Sequence, residues 1–224
     1  SIPKNEISIH HYAPNEVSGD YSGIKLINDG YYAILLADVS GHGVAASMLT
    51  ILIKSFFDSH AIIDDKNTSP AVFLDKLNKF FIEEGFDKNL FACVFYAIYN
   101  NETGKLLCSS AGSPKPIYYS NSEDEICTVD IDGPLIGMID DSEYTEMEIQ
   151  LNRNDILFVF TDGAYEVFDD NNNMFGDEHL KQIFSKNVKN NVSDIKEKII
   201  NEIKSFTKEP LKDDVSMILL KRTN

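Results

Sequence analysis

The chain has 224 residues, 43% hydrophobic and 25% charged, the composition of an ordinary globular protein and not of a disordered or fibrous one. Its 36 acidic residues outweigh 20 basic ones, giving a formal net charge of −16. That charge repels phosphate backbones and anionic lipid, so neither nucleic acid nor a membrane surface is the expected main partner, and no apolar run approaches the ~18 residues of a membrane span.

In chain order, Glu6–Ala13 alternates as a strand does, and Ile24–Ile27 runs through Asn28-Asp29-Gly30 into Tyr31–Val39. An Asx-Gly pair between apolar runs predicts a hairpin. From Gly43 the period changes, and Val44, Met48, Leu49, Ile51, Leu52 and Phe56 recur at helical spacing as far as His60. Ser69-Pro70 opens a second helix, with serine as the cap and proline in the first helical position. Its apolar positions are Phe73, Leu74, Leu77, Phe80 and Phe81, and Gly85 ends it. Short strands are predicted over Phe91–Tyr99, Lys105–Ala111, Pro116–Ser120, Ile126–Ile131, Tyr144–Leu151 and Ile156–Thr161. Helices over Asp177–Val188 and Ser193–Phe206 and a last strand, Val215–Leu220, complete the chain. Antiparallel strands with helices grouped in pairs predict an α+β layered domain, not an alternating βαβ sheet. Cys93, Cys108 and Cys127 lie far apart in strand-like surroundings, which predicts buried free thiols and a reducing, cytoplasmic compartment. The first residue is Ser1, so residues 1–224 read as one domain cut from a longer regulatory chain.

Four aspartates stand at strand edges or strand-to-turn junctions: Asp20 in VSGDY, Asp38 in ILLADVSGHG, Asp162 in ILFVFTDGAYE, and Asp213 or its neighbour Asp214 in KDDVSMILL. Asp38 and Asp162 each follow an almost wholly apolar strand and are closely followed by glycine. A carboxylate at the end of a buried strand is costly without a cation, and no Arg or Lys adjoins either one. A hard divalent ion such as Mg²⁺ or Mn²⁺ is the natural partner.

The order of these motifs resembles the metal-dependent protein serine/threonine phosphatases, in their bacterial SpoIIE/RsbU branch. SGDY at 18–21, DVSGHGVAASM at 38–48, SSAGSPKPIYY around Gly112, GPLIGM at 133–138, LNRNDILFVFTDGAYE at 151–166, MFG at 174–176 and DDVSMILL at 213–220 carry the likeness. The resemblance implies a two-layer antiparallel β-sandwich flanked by helix pairs, with two Mn²⁺ or Mg²⁺ ions between the sheets. Asp38 would bridge both ions, the backbone carbonyl of Val39 would add a ligand, and Asp20, Asp162 and Asp213 would complete the site, with Asp214 as an alternative or supporting residue. A water bridging the metals would hydrolyse a phosphoserine or phosphothreonine ester. The implied substrate is an anti-sigma-factor antagonist in a partner-switching pathway. An upstream sensor domain, or a homodimer, would act through the first two helices. The run Phe80-Phe81-Ile82 exceeds one buried face, so the second of them reads either as a switch or interface helix or as a helix covered by neighbouring loops.

Two departures from the family pattern are Ser113, where the family commonly has histidine after Ala-Gly, and Ser22-Gly23 in place of an aromatic-Asp pair. Neither touches an implied metal ligand, which predicts an active enzyme over an inactive binding module of the same fold. His42, between Gly41 and Gly43 at a helix start, is a candidate general acid or hydrogen-bonding support. Gly41-x-Gly43-x-x-Ala46 also matches a dinucleotide fingerprint, but Asp38 would oppose a pyrophosphate and the downstream β-meander lacks the alternating helices. Asp169–Asp177 fails as a calcium loop, with Met174 and Leu180 where Gly and Glu are required, and reads as a polar turn.

Overall fold

The computed structural model describes residues 2–14, 17–41, 43–61, 69–86 and 89–224. Strands β1 (Asn5–Tyr12), β2 (Asp20–Asn28) and β3 (Tyr31–Val39) precede helices α1 (Val44–His60) and α2 (Pro70–Glu83). Strands β4 (Ala92–Asn100), β5 (Lys105–Ala111), β6 (Ile117–Ser120), β7 (Glu125–Thr128), β8 (Met147–Gln150) and β9 (Ile156–Phe160) follow. A 3₁₀ turn at Asp162–Ala164, helices α3 (Asp177–Asn187) and α4 (Val192–Phe206), and strand β10 (Val215–Arg222) complete the order. The expected hairpin is present: Asn28 pairs with Tyr31, and Gly30 takes the left-handed conformation its turn needs (φ 76°). Ser69 caps α2 by accepting a hydrogen bond from the Val72 amide, with Pro70 behind it.

Two antiparallel sheets stack, in strand orders β1-β10-β9-β6-β7 and β2-β3-β4-β5-β8. Helices α1 and α2 cover the outer face of the second sheet, where Phe57, Phe73 and Tyr96 interlock, with the last two rings stacked at 3.9 Å. Helices α3 and α4 cover the other sheet through Phe158, Phe184 and Ile199. Each such fully buried side chain contributes about 1.5–3 kcal/mol. The central strands β3, β4, β9 and β10 are therefore buried on both faces and read as nearly continuous apolar runs. This architecture excludes the dinucleotide-binding alternative at Gly41, Gly43 and Ala46, because every strand pairing among the described residues is antiparallel.

Strand parity aims the polar residues. In β3, Ala33, Leu35 and Ala37 face the helices while Ile34 and Leu36 face the opposing sheet. Asp38 has the parity of Ile34 and Leu36, so it continues the inter-sheet row at the strand's end. Cys93 in β4 continues the row of Phe95 and Ala97, and Thr161 that of Leu157 and Val159. Ser216 similarly precedes Ile218. The apolar layer between the sheets thus gives way at one end to a cluster of polar groups.

Two expectations need correction. Cys127 is exposed, because β7 is an edge strand with one neighbour, so only Cys108 is buried and Cys93 half-buried; all three thiols are free. The surplus apolar surface also lies on α1 instead of α2. Phe81 is buried and Phe80 is half-buried against Phe56, whereas Val44, Met48 and Ile51 are 61–72% exposed along one face of α1. Among the described residues no helix is long and apolar enough to cross a membrane.

Candidate metal centre

Asp20 and Asp38 are directly opposite each other across the β2–β3 ladder, and Cys93 stands opposite Asp38 on β4. The other sheet brings Asp162, in the turn just after β9, to the same place: it lines one cavity with Asp38 and lies close enough for its charge to raise the Asp38 carboxyl. The turn holding Asp162 lies hard against the start of β10, since a Cβ on Gly163 would sit 2.0 Å from the Asp214 carbonyl oxygen. Asp213 is thereby brought close enough to raise the pKa of Asp162, Asp38 and Asp20.

The electrostatics follow from this crowding. Burial, then the charges of Asp20, Asp162 and Asp213, push the Asp38 carboxyl up to about 9. Burial raises Asp20 to about 7, with Asp214 and Asp213 adding to it and hydrogen bonds from Ser216 and Thr161 pulling back. Asp162 is raised by burial and by Asp213. Among the described residues none of these aspartates has a salt-bridge partner. Buried carboxylates without basic partners present the hard oxygen donors that suit Mg²⁺ or Mn²⁺. Asp20 is turned onto Thr161, whose hydroxyl donates to its Oδ2 at 3.0 Å, and Asp213 is exposed. As the side chains stand, no three His, Cys, Asp or Glu among the described residues close around a single point. The donor set still fits a divalent ion in chemistry and burial.

Asp214 does different work from its neighbour. Its Oδ2 accepts hydrogen bonds from the Ser18 hydroxyl (2.6 Å), the Gly19 amide (2.6 Å) and the Asp20 amide (3.3 Å). It pins the loop that carries Asp20, and Thr50 of α1 reinforces that loop by donating to the Gly19 carbonyl at 2.7 Å. Val39 is buried beside this loop: its amide donates to the Gly19 carbonyl, and a Cβ on Gly19 would come within 3.0 Å of the Val39 oxygen. His42 lies outside the described residues.

Two cavities open on the cluster. One, of about 270 Å³, is lined by Asp38, Asp162, Cys93, Ser113, Lys115 and Tyr165 among others. The larger, of about 720 Å³, is bordered by Asp213, Gly163 and Gly41 and walled by Glu166, Phe168 and Leu211. Asp169, at its rim, accepts from Asn171 and Asn173 and closes the polar turn expected there.

Residues 28–223 match the family of stage II sporulation protein E, SpoIIE. The chain belongs to the SpoIIE family. It is 25% identical over 207 residues to the phosphoserine phosphatase RsbU of Bacillus subtilis, an alignment covering 92% of this chain and 60% of RsbU. It spans only about 36–60% of the length of the curated relatives it matches. Among solved structures, the SiaA-PP2C domain of Pseudomonas aeruginosa superposes with a TM-score of 0.82 at 19% identity, covering 97% of this chain and 86% of that one. RsbX, solved in complex with magnesium, superposes with a TM-score of 0.70 at 19% identity, covering 97% and 94%. These likenesses establish that the SpoIIE-family sandwich seen here is the fold of PP2C-type domains.

The sequence reading of this SpoIIE-family chain missed several supporting groups. Thr161 bridges the sheets' ends by donating to Asp20 while accepting from the Ser216 amide. Ser18 binds Asp214, and Cys93 faces Asp38. Thr161 and Ser18 each stand within two residues of a predicted aspartate, and strand parity marks Cys93 as facing the same way as Asp38. Asp155, in the same motif as Asp162, is fully buried yet structural: it accepts from Tyr118, Asn121 and Asn152.

Proposed function

We propose that this domain is a metal-dependent protein serine/threonine phosphatase, hydrolysing phosphoserine or phosphothreonine esters on a protein. The observation that carries the reading is the meeting of Asp20 and Asp38 from one sheet with Asp162 and Asp213 from the other, all without basic partners. Its likeness to RsbU, which is named a phosphoserine phosphatase, points to the same chemistry.

In this reading Asp38, Asp162, Asp20, Asp213 and the Val39 carbonyl hold two divalent ions, Mg²⁺ or Mn²⁺, and Asp214 positions Asp20 from behind. Bound divalent ions supply Lewis acidity, acidifying water and offsetting phosphoryl charge. The raised Asp38 carboxyl would have to lose its proton to serve as a ligand. Hydrolysis adds water across the phosphorus–oxygen ester bond, giving inorganic phosphate and a free hydroxyl, with no enzyme nucleophile. Cys93 is unsuited to that role, because burial and the nearby aspartates push its thiol up to about 12 and keep it protonated. The 720 Å³ cavity beside Asp213 takes the polypeptide around the phosphoresidue.

The protein substrate we favour is an anti-sigma-factor antagonist, the class implied by the RsbU branch, in the cytoplasm, where free thiols persist. An upstream sensor domain or a second copy would act through the exposed face of α1 formed by Val44, Met48 and Ile51. Phosphate release from a phosphorylated antagonist in Mn²⁺ or Mg²⁺, compared with EDTA, tests the function. Metal-dependent release supports it, and a chain inert under all three conditions is an inactive binding module.

A further inference from the structure

We propose that Lys115 binds the phosphoryl oxygens of the substrate, placing the ester over Asp38 and Asp162. The role rests on the phosphatase reading and assigns it a substrate contact.

Among the described residues, Lys115 is the one basic residue in the lining of the cavity that holds Asp38 and Asp162. Asp132 shares that lining with Asp38 and Asp162 and is given no metal to hold, so a phosphate dianion entering it meets a negative charge that a nearby ammonium offsets. At about 270 Å³ the space equals roughly nine waters of about 30 Å³ each, room for a phosphoryl group.

The backbone that presents this lysine is unusually constrained. Pro114 and Pro116 flank it, fixing φ on both sides and holding Lys115 in the extended region. Upstream, Gly112 is in the left-handed conformation (φ 66°) and its amide donates to the Gly133 carbonyl at 2.9 Å. Downstream, the Pro116 carbonyl accepts from the Val129 amide at 2.8 Å. The segment is thus anchored at both ends, and only the side chain has to move.

That side chain pairs with Asp130, but both partners are open to water, at 43% and 85% exposure. An exposed pair of this kind is weak and yields readily to a doubly charged competitor. Ser113 is buried in the same lining where the family commonly carries histidine, so among the described residues it adds no second cation there.

The test compares the wild-type chain with Lys115→Gln, Lys115→Arg and Lys181→Gln, the last removing a neighbouring lysine that lines only the adjoining cavity. With Mn²⁺ present, a phosphoserine peptide gives kcat and KM, inorganic phosphate gives an inhibition constant, and calorimetry gives Mn²⁺ affinity. Lys115→Gln is expected to raise KM and the phosphate inhibition constant about tenfold, the scale of one charge-assisted hydrogen bond. Its Mn²⁺ affinity stays at the wild-type value, Lys115→Arg restores both constants, and Lys181→Gln changes neither. Wild-type constants in Lys115→Gln, or an equal shift in Lys181→Gln, overturn the assignment while the phosphatase reading stands. A wild-type chain that releases no phosphate with either metal overturns that reading and this role together.

Discussion

Asp20 and Asp38 are paired residues on adjacent strands, and each is aimed at the other sheet by the parity of its own strand. Two carboxylates so placed repel each other, and here Asp162 approaches from the opposite side. The arrangement destabilises the metal-free fold locally and makes a cation its natural complement.

Replacing Asp38 or Asp162 by Ala should abolish metal-dependent hydrolysis of a phosphoserine peptide while circular dichroism shows a folded protein. The expected loss exceeds about 100-fold, beyond the range usual for residues that only support a metal ligand. Activity within a few-fold of wild type in either variant removes that residue from the site.

Asp213 and Asp214 should separate cleanly. Asp214→Ala strips three hydrogen bonds from the Ser18–Asp20 loop, so it should cost about 1–3 kcal/mol of stability in chemical denaturation. Asp213→Ala removes an exposed side chain and should leave stability within about 0.5 kcal/mol while weakening Mn²⁺ binding. The opposite pattern would exchange the two assignments.

Thr161→Val keeps the side chain's shape but removes the hydroxyl that donates to Asp20 and accepts from the Ser216 amide. With that amide buried and unpaired, the variant should lose about 1–3 kcal/mol. Mn²⁺ affinity should drop about 10-fold or more, because Asp20 is no longer held. Unaltered affinity in a calorimetric titration would make Thr161 purely structural.

The pH dependence of the metal-free protein has a definite sign. Asp38 and Asp20 sit at about 9 and about 7, above the value of an unfolded aspartate, so the folded chain holds these protons more tightly. Their contribution to stability is complete below about pH 4 and is lost as pH rises through about 7 and about 9. In EDTA, the melting temperature of the wild type should therefore fall relative to Asp38→Asn between about pH 5 and about pH 9, since an amide does not charge. Curves that stay parallel over that range contradict the buried cluster.

Much of this was legible in the sequence because the information is local. The Asp29-Gly30 turn, the Ser69-Pro70 cap and the apolar runs ending in Asp38 and Asp162 each declare themselves within about ten residues. What stayed hidden depends on contacts distant in the chain. Thr161 meets Asp20 across 141 positions and Ser18 meets Asp214 across 196, and nothing in the local sequence encodes either. The exposure of Cys127 depends on β7 being an edge strand, which is a property of sheet order. The exposed face of α1 escaped notice because its period is that of a buried helix; the sheet covers one side and leaves Val44, Met48 and Ile51 on the other.

The most direct measurement of the metal centre is a calorimetric titration of EDTA-treated, dialysed protein with Mn²⁺ near pH 7, repeated in two buffers of different ionisation enthalpy. Two ions should bind per chain, with proton release as the raised Asp38 carboxyl ionises, and this binding should be lost in Asp38→Asn. Wild-type protein that binds no more Mn²⁺ than Asp38→Asn, and releases no protons, would contradict it.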